Sequence, residues 1–302
     1  MLPVLFIVGP TATGKSSLAL SLAIRHQAHI LSLDSRQIYR HMSIGTAQPS
    51  EEDLSRVPHH FTGELDPAGS WNAFDCFQQV RERIKSLRAE GVPVIAAGGS
   101  GLYYSAVVHG IADIPADQET RLRLENRLHA EGKDALFAEL QQADPESAQR
   151  MDPTKTQRLI RALEVLTFTG KPISWWQRQD PPSPFPFPYK SIGLHLPKPE
   201  LEASIRKRVE SMIRSGLEEE VRHLRSLGFD WTSNCLRTVG YSEWREYFEG
   251  KTSQSSVGEQ IVIQTRRYAK RQMTWFRRET NIHWLQASDS NLFSLAEKYW
   301  TE

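Results

Sequence analysis

Only two cysteines occur in 302 residues, Cys76 and Cys235. That excludes a disulfide framework and any cysteine-based zinc spacing. The ten histidines contain no His-x-x-x-His pair, so no zinc site is expected. No apolar run approaches the length of a membrane span. The chain enters its first strand without a basic, cleavable leader, so a cytoplasmic protein is expected. Charge excess is missing too: 37 basic residues against 36 acidic leave +1, which argues for no class of partner. Internal repeats are absent. What remains is an ordinary balance of 39% apolar and 24% charged residues, long enough for one large domain or two smaller ones.

Against that background one octapeptide stands out. Gly9, Pro10, Thr11, Ala12, Thr13, Gly14, Lys15 and Ser16 fit G-x-x-x-x-G-K-[ST], the phosphate-binding P-loop. Val4–Val8 before it is a β-rich apolar run that reads as a buried strand. Residues 17–24 after it read as a helix with Leu18, Leu22 and Ala23 on one side. Such a strand–loop–helix unit aims backbone N–H groups and the positive end of a helix at an anion. Lys15 would add a point charge on a phosphoryl oxygen, and the Ser16 hydroxyl would ligate Mg²⁺.

The chain continues as alternating strands and helices. His29–Leu33 reads as a second strand ending at Asp34. Residues 71–89 read as a helix, with Phe74, Phe77, Val80, Ile84 and Leu87 at helical spacing and Gly91 as its stop. Residues 92–97 read as a third strand running into Gly98-Gly99-Ser100-Gly101. This order predicts a parallel sheet covered by helices, with ligands beyond the carboxyl ends of its strands. The P-loop, Asp34 and the glycine turn all lie at such ends.

From about Asp117 strand-like runs vanish, and 120–131, 133–142 and 155–167 read as helices. This predicts an all-helical insertion, residues 116–188, between two parts of the core, 1–115 and 189–302. It ends in a segment with five prolines between Asp180 and Tyr189, which suits an extended linker or hinge. Residues 191–196 read as a strand returning to the sheet, and 200–227 as one long amphipathic helix closed by Gly228. Between Gln264 and Arg278 stand Arg266, Arg267, Lys270, Arg271, Arg277 and Arg278, with no acid and with Tyr268, Trp275 and Phe276 interleaved. On a helix, Arg267, Arg271 and Arg278 share a stripe. Such a face is either solvated or made for a nucleic-acid backbone and unstacked bases.

Asp34 in Asp34-Ser35-Arg36-Gln37 has three readings: a Mg²⁺ partner, a general base for a nucleophile at the rim, or a cap for the following turn. Arg36 and Gln37 are equipped to hold a phosphate and an adenine edge. In Gln157-Arg158-Leu159-Ile160-Arg161, the two arginines are expected to face outward and the apolar pair inward.

Together these motifs resemble the bacterial tRNA dimethylallyltransferase family, also called tRNA isopentenyltransferases. The resemblance runs through Gly9–Ser16, Asp34–Tyr39, Gly98–Tyr103, Gln157–Arg161, Arg237–Tyr241 and Gln264–Arg277, and covers roughly residues 3–285. It implies a P-loop NTPase-like α/β fold, a parallel sheet flanked by helices, carrying the helical insertion. It implies transfer of the dimethylallyl group from dimethylallyl diphosphate to N6 of the adenosine 3′ of a tRNA anticodon, with Mg²⁺ assisting and pyrophosphate leaving. Asp34, Ser100 and Lys15 would then be catalytic. Residues 9–16 and Arg208 would hold the diphosphate. The anticodon stem-loop would meet Asp34, Ser35, Arg36, Gln37, Ser100, Arg121, Gln157, Arg158, Arg161, Arg237, Gly240 and Tyr241, with Arg266, Arg267, Lys270 and Arg271 on the backbone. Ser100 stands where the family more often has threonine. A monomer without membrane contact is expected. A small-molecule kinase, a prenyltransferase acting on free adenine nucleotides and an RNA-binding nucleotide switch share parts of this pattern.

Overall fold

The computed structural model describes residues 1–179 and 183–302; the first three residues of the proline-rich segment, Asp180, Pro181 and Pro182, lie outside them. Two compact units emerge. One comprises Met1–Val108 with Phe185–Glu302, the other His109–Pro184.

The larger unit is built on a six-stranded, all-parallel sheet in the order β3-β2-β4-β1-β5-β6. Its strands are β1 Val4–Val8, β2 His29–Ser32, β3 His59–His60, β4 Val94–Gly98, β5 Tyr189–His195 and β6 His283–Gln286. β1 is central and fully buried, as its unbroken apolar run requires. Helices α1 Lys15–His26, α2 Ser43–Thr46, α3 Glu51–Arg56, α4 Ala73–Ala89 and α5 Gly101–His109 follow the first strands. One core layer packs Leu18, Leu22 and Ala23 of α1 with Leu5, Ile7, Ile95, Ile192 and Trp300.

The smaller unit holds α6 Gln118–Glu131, α7 Lys133–Ala143, α8 Pro145–Arg150, α9 Thr156–Thr169 and α10 Ile173–Gln179. Leu124, Leu136, Leu140, Leu159, Ile160 and Leu163 form its own core. The larger unit then resumes with α11 Lys198–Arg214, α12 Leu217–Ser226, α13 Arg245–Phe248, α14 Gln254–Phe276 and α15 Leu292–Thr301. No helix among the described residues is long and apolar enough to cross a membrane.

Several boundaries differ from the sequence reading, each for a local reason. The helix expected from Trp71 starts at Ala73 because the Asn72 side chain accepts from the N–H groups of Phe74 and Asp75 at 2.7 and 3.2 Å. The single helix expected over 200–227 is two, because Gly216 takes a left-handed φ of 94° between α11 and α12. α14 ends at Phe276, so Arg277 and Arg278 stand beyond it, and Arg278 does not continue the stripe of Arg267 and Arg271. The described end of the proline-rich segment is no free linker. Phe185 is buried edge-on against Phe6 and Tyr189, and Pro188 accepts the Val4 N–H at 2.9 Å.

Candidate functional site

The carboxyl ends of β1, β2 and β4 open into a cavity of about 450 Å³ in the larger unit. The P-loop forms one wall with Thr11, Ala12, Gly14, Lys15 and Ser16. Gly14 caps α1 with a left-handed backbone and no side-chain bond, so the first N–H groups of the helix are left for a ligand. Gly9, Pro10 and Thr13 stand behind this wall and shape it. The Pro10 carbonyl accepts the Lys15 ammonium at 2.5 Å and the Thr13 hydroxyl at 2.9 Å. Ala12 holds a strained φ of 64°, and its carbonyl accepts the Ser204 hydroxyl of α11 at 2.7 Å.

Two cations meet one carboxylate in this cavity. Burial, joined by the nearby Arg208 guanidinium, lowers the Lys15 pKa to about 7, with Asp34 opposing both. Arg208, half-buried on α11, is also lowered by burial and raised by Asp34. Both effects follow from holding like charges in a partly desolvated space. An entering polyanion would relieve them together.

Asp34 sits at the end of β2. Its Oδ1 accepts from the N–H groups of Arg36 and Gln37 at 2.8 and 3.4 Å, which fixes the following turn. No hydrogen bond to Oδ2 occurs among the described residues, and Asp34 lines the cavity. The turn-capping reading and the reactive reading therefore use different oxygens of one carboxylate.

The neighbours of Asp34 divide the work. Ser35 and Arg36 line the cavity, and Arg36 donates to the Asn234 side chain at 2.8 Å. Gln37 lines the cavity as well, with its amide engaged within the protein. Its Nε2 donates to the carbonyls of Thr46 and Ala47 at 3.2 and 2.9 Å, and its Oε1 accepts from Ser32 at 2.8 Å. Ser100 differs from expectation. Gly98 and Gly99 line the cavity, whereas the Ser100 hydroxyl turns to the N–H of Tyr103 at 3.4 Å, capping α5.

α14 forms another wall with Ile261, Thr265, Tyr268 and Gln272, spaced i, i+4, i+7 and i+11 along one face. Burial and Asp34 raise the Tyr268 phenol above its ordinary range, so it stays a neutral donor. Arg271 lines the same cavity, with its guanidinium 5.6 Å from the centre of the Tyr268 ring. Arg267, Lys270 and Arg271 are exposed on the helix, and Arg266 is paired with Glu202 at 3.1 Å.

Arg237 and Gly240 line the cavity, but Tyr241 does not. Tyr241 is fully buried, and its hydroxyl donates to Glu220 at 2.6 Å. Glu220 also accepts from the Ser43 hydroxyl and from the N–H groups of Ile44 and Gly45, at 3.1, 2.8 and 2.9 Å. Tyr241 thus belongs to a buried polar hub tying α12 to α2, not to an open contact surface. Replacing it by phenylalanine removes one of four bonds to that carboxylate and should cost about 1 kcal/mol. The expected result is an unfolding midpoint roughly 2 °C lower with RNA affinity unchanged. An unchanged midpoint with weakened RNA binding would put the hydroxyl at the RNA instead.

In the smaller unit, Arg121 and Arg161 gather around Glu164, which is almost fully buried. Arg161 donates to Glu164 at 2.7 Å and to the Ile114 carbonyl at 2.8 Å. It is therefore a structural strut, half-buried rather than facing outward. Arg121 donates to Gln157 at 2.6 Å and lies 3.7 Å from Glu164. Arg158 is exposed, as expected.

Comparison with known proteins decides the family. The family model described as IPP transferase matches residues 37–279. The chain belongs to this family. A relative of the IPP transferase family named tRNA dimethylallyltransferase, from Salinibacter ruber, is 41% identical over 98% of this chain and 91% of its own length. Another of that name, from Chlorobaculum parvum, is 43% identical over 94% and 92%. The solved tRNA isopentenylpyrophosphate transferase of Bacillus halodurans is 32% identical, with a TM-score of 0.71 over 99% of this chain and 94% of that one. A eukaryotic dimethylallyltransferase solved while acting on tRNA shares 21% identity at a TM-score of 0.80, which is a likeness of fold. Those structures and the all-parallel sheet give the chain a P-loop NTPase-like fold with flanking helices.

Proposed function

We propose that this IPP transferase carries the dimethylallyl group of dimethylallyl diphosphate to N6 of the adenosine 3′ of a tRNA anticodon, with pyrophosphate as the second product. The observation that carries the reading is one cavity lined by the uncapped start of α1, by Lys15 and Arg208, and by Asp34, whose charge both cations feel. The names of the full-length relatives support both the group transferred and the acceptor.

The chemistry follows from that arrangement. The allylic C1–O bond breaks as positive charge spreads over the allyl group and negative charge gathers on the departing diphosphate. Lys15, Arg208 and the N–H groups of α1 stabilise that charge where it develops. The N6 lone pair of adenine then bonds to C1, and the nitrogen passes its extra proton to Asp34 Oδ2. The adenine reaches this depth only when flipped out of its loop, at a cost of a few kcal/mol. Exposed Arg267, Lys270 and Arg271 would offset that cost by holding phosphates beside the opening.

Magnesium is part of this proposal. Of the protein oxygens lining the cavity, the Ser16 hydroxyl at the end of the P-loop is the one that would hold the ion. No cluster of three or more His, Cys, Asp or Glu that could hold a metal occurs among the described residues. So sparse a set suits a hard cation that takes most of its shell from phosphate and water. Bound there, Mg²⁺ would supply charge neutralisation of the leaving diphosphate.

Release of pyrophosphate tests the reading. It should require dimethylallyl diphosphate and tRNA together and ignore ATP. Consumption of ATP without the prenyl donor would make the protein a kinase instead. Separately, reversing charge at Arg267 and Arg271 should weaken tRNA binding and reduce its log–log salt slope by about two. An unchanged slope would remove α14 from the RNA backbone.

A further inference from the structure

Thr13 and Lys15 tie the P-loop to itself through the Pro10 carbonyl, and the Thr11 N–H between them and the strand is held by a residue 261 positions away. Gln272 of α14 is buried, and its Oε1 accepts the Thr11 N–H at 2.9 Å. Its Nε2 donates to the Gly99 carbonyl at 2.9 Å. Thr11 and Gly99 stand on different walls of the cavity, one after β1 and the other after β4. A side chain at Gly99 would collide with this amide, so the glycine makes room for the crossing. Gln272 also directly follows Arg271, which is exposed on the same helix and lines the cavity.

We propose that Gln272 is a positioning residue: its amide clamps the strand-side arm of the diphosphate loop to the glycine turn. It thereby registers α14, the helix with the basic face, against the donor pocket. The inference rests on the diphosphate reading of that pocket. A primary amide is suited to the task because one end accepts while the other donates. A carboxylate can serve Thr11 but repels the Gly99 carbonyl. A protonated carboxylic acid has one acceptor and one donor again and restores both bonds. Burial and the Gly99 carbonyl favour the protonated acid at this position, Lys15, Arg208 and Arg271 of the same cavity favour the carboxylate, and comparing pH 5.5 with pH 8 reads the change between them.

The test is calorimetric binding of inorganic pyrophosphate with Mg²⁺ to the full chain, as wild type, Gln272→Ala and Gln272→Glu, at about pH 5.5 and pH 8. Circular dichroism establishes that each variant is folded. Affinity is read relative to wild type at each pH. Gln272→Ala should bind about tenfold more weakly at both, the scale expected for losing two buried hydrogen bonds. Gln272→Glu should be weaker still at pH 8 and recover toward wild type at pH 5.5. That recovery keeps the test decisive even where the alanine variant fails to fold, since a space-filling role would not follow protonation. Wild-type affinity in folded Gln272→Ala, or no recovery in Gln272→Glu, would overturn the clamp. Absence of pyrophosphate binding by the wild type would overturn the diphosphate reading and the clamp with it.

Discussion

Asp34→Asn should lower the rate of prenyl transfer by about 10³-fold, the range for loss of a positioned general base. Asparagine keeps the oxygen that accepts from Arg36 and Gln37, so the turn after β2 survives. What it loses is the basicity of the second oxygen, the one the turn leaves unbonded among the described residues. Affinity for pyrophosphate and for tRNA should therefore change little, and the effect should lie in single-turnover chemistry. A second consequence separates proton acceptor from anchor. Alanine would release the turn as well, so Asp34→Ala should lose binding in addition to rate. Near-normal turnover in the asparagine variant would take Asp34 out of the proton-transfer step and leave it as the cap its bonded oxygen already makes it.

Lys15→Ala should weaken pyrophosphate binding by roughly 10²–10³-fold, the usual cost of truncating one partner of a desolvated charge pair. The pH dependence gives the stronger signature. In the free protein burial and Arg208 bring the lysine pKa to about 7, with Asp34 acting the other way. A bound polyanion favours the ammonium and raises that pKa, so binding takes up a proton. The direction follows: affinity is full below pH 7, where Lys15 is already charged, and falls as pH rises above 7. Pyrophosphate itself titrates in this region. The ratio of wild type to Lys15→Ala cancels that contribution and should shrink above pH 7. A ratio flat from pH 6 to pH 9 would mean the ammonium is not the group that meets the phosphate.

How much of this was legible in the chain depends on how far apart the cooperating residues lie. The P-loop, the strand-end Asp34 and the glycine turn announce themselves because each is a short local pattern next to a strand. β6 did not, since His283–Gln286 is an edge strand with one buried residue and no apolar run. α5 escaped notice for the opposite reason: Tyr103, Tyr104, Ala106, Val107 and Val108 are all buried, leaving no amphipathic period to detect. The basic face of α14 was visible as charge. Its cavity-facing stripe of Ile261, Thr265, Tyr268 and Gln272 was not, because those residues share position rather than chemistry. The resemblance implies that Tyr241 and Gln37 meet the RNA, and the Gln37 amide by itself suits an adenine edge. Only the fold reveals that Glu220 and the carbonyls of Thr46 and Ala47 have already taken them. Gln272 lies inside the Gln264–Arg277 segment that carries the resemblance, but nothing in the sequence says that it joins the P-loop to the glycine turn.

The most direct test follows labelled dimethylallyl from its diphosphate into acceptors offered in parallel: unmodified tRNA, the same tRNA with the adenosine 3′ of the anticodon replaced, AMP and ATP. The account predicts label in the unmodified tRNA alone, lost when that single adenosine is changed. Label on AMP or ATP with none in tRNA, or label that survives the replacement, would contradict it.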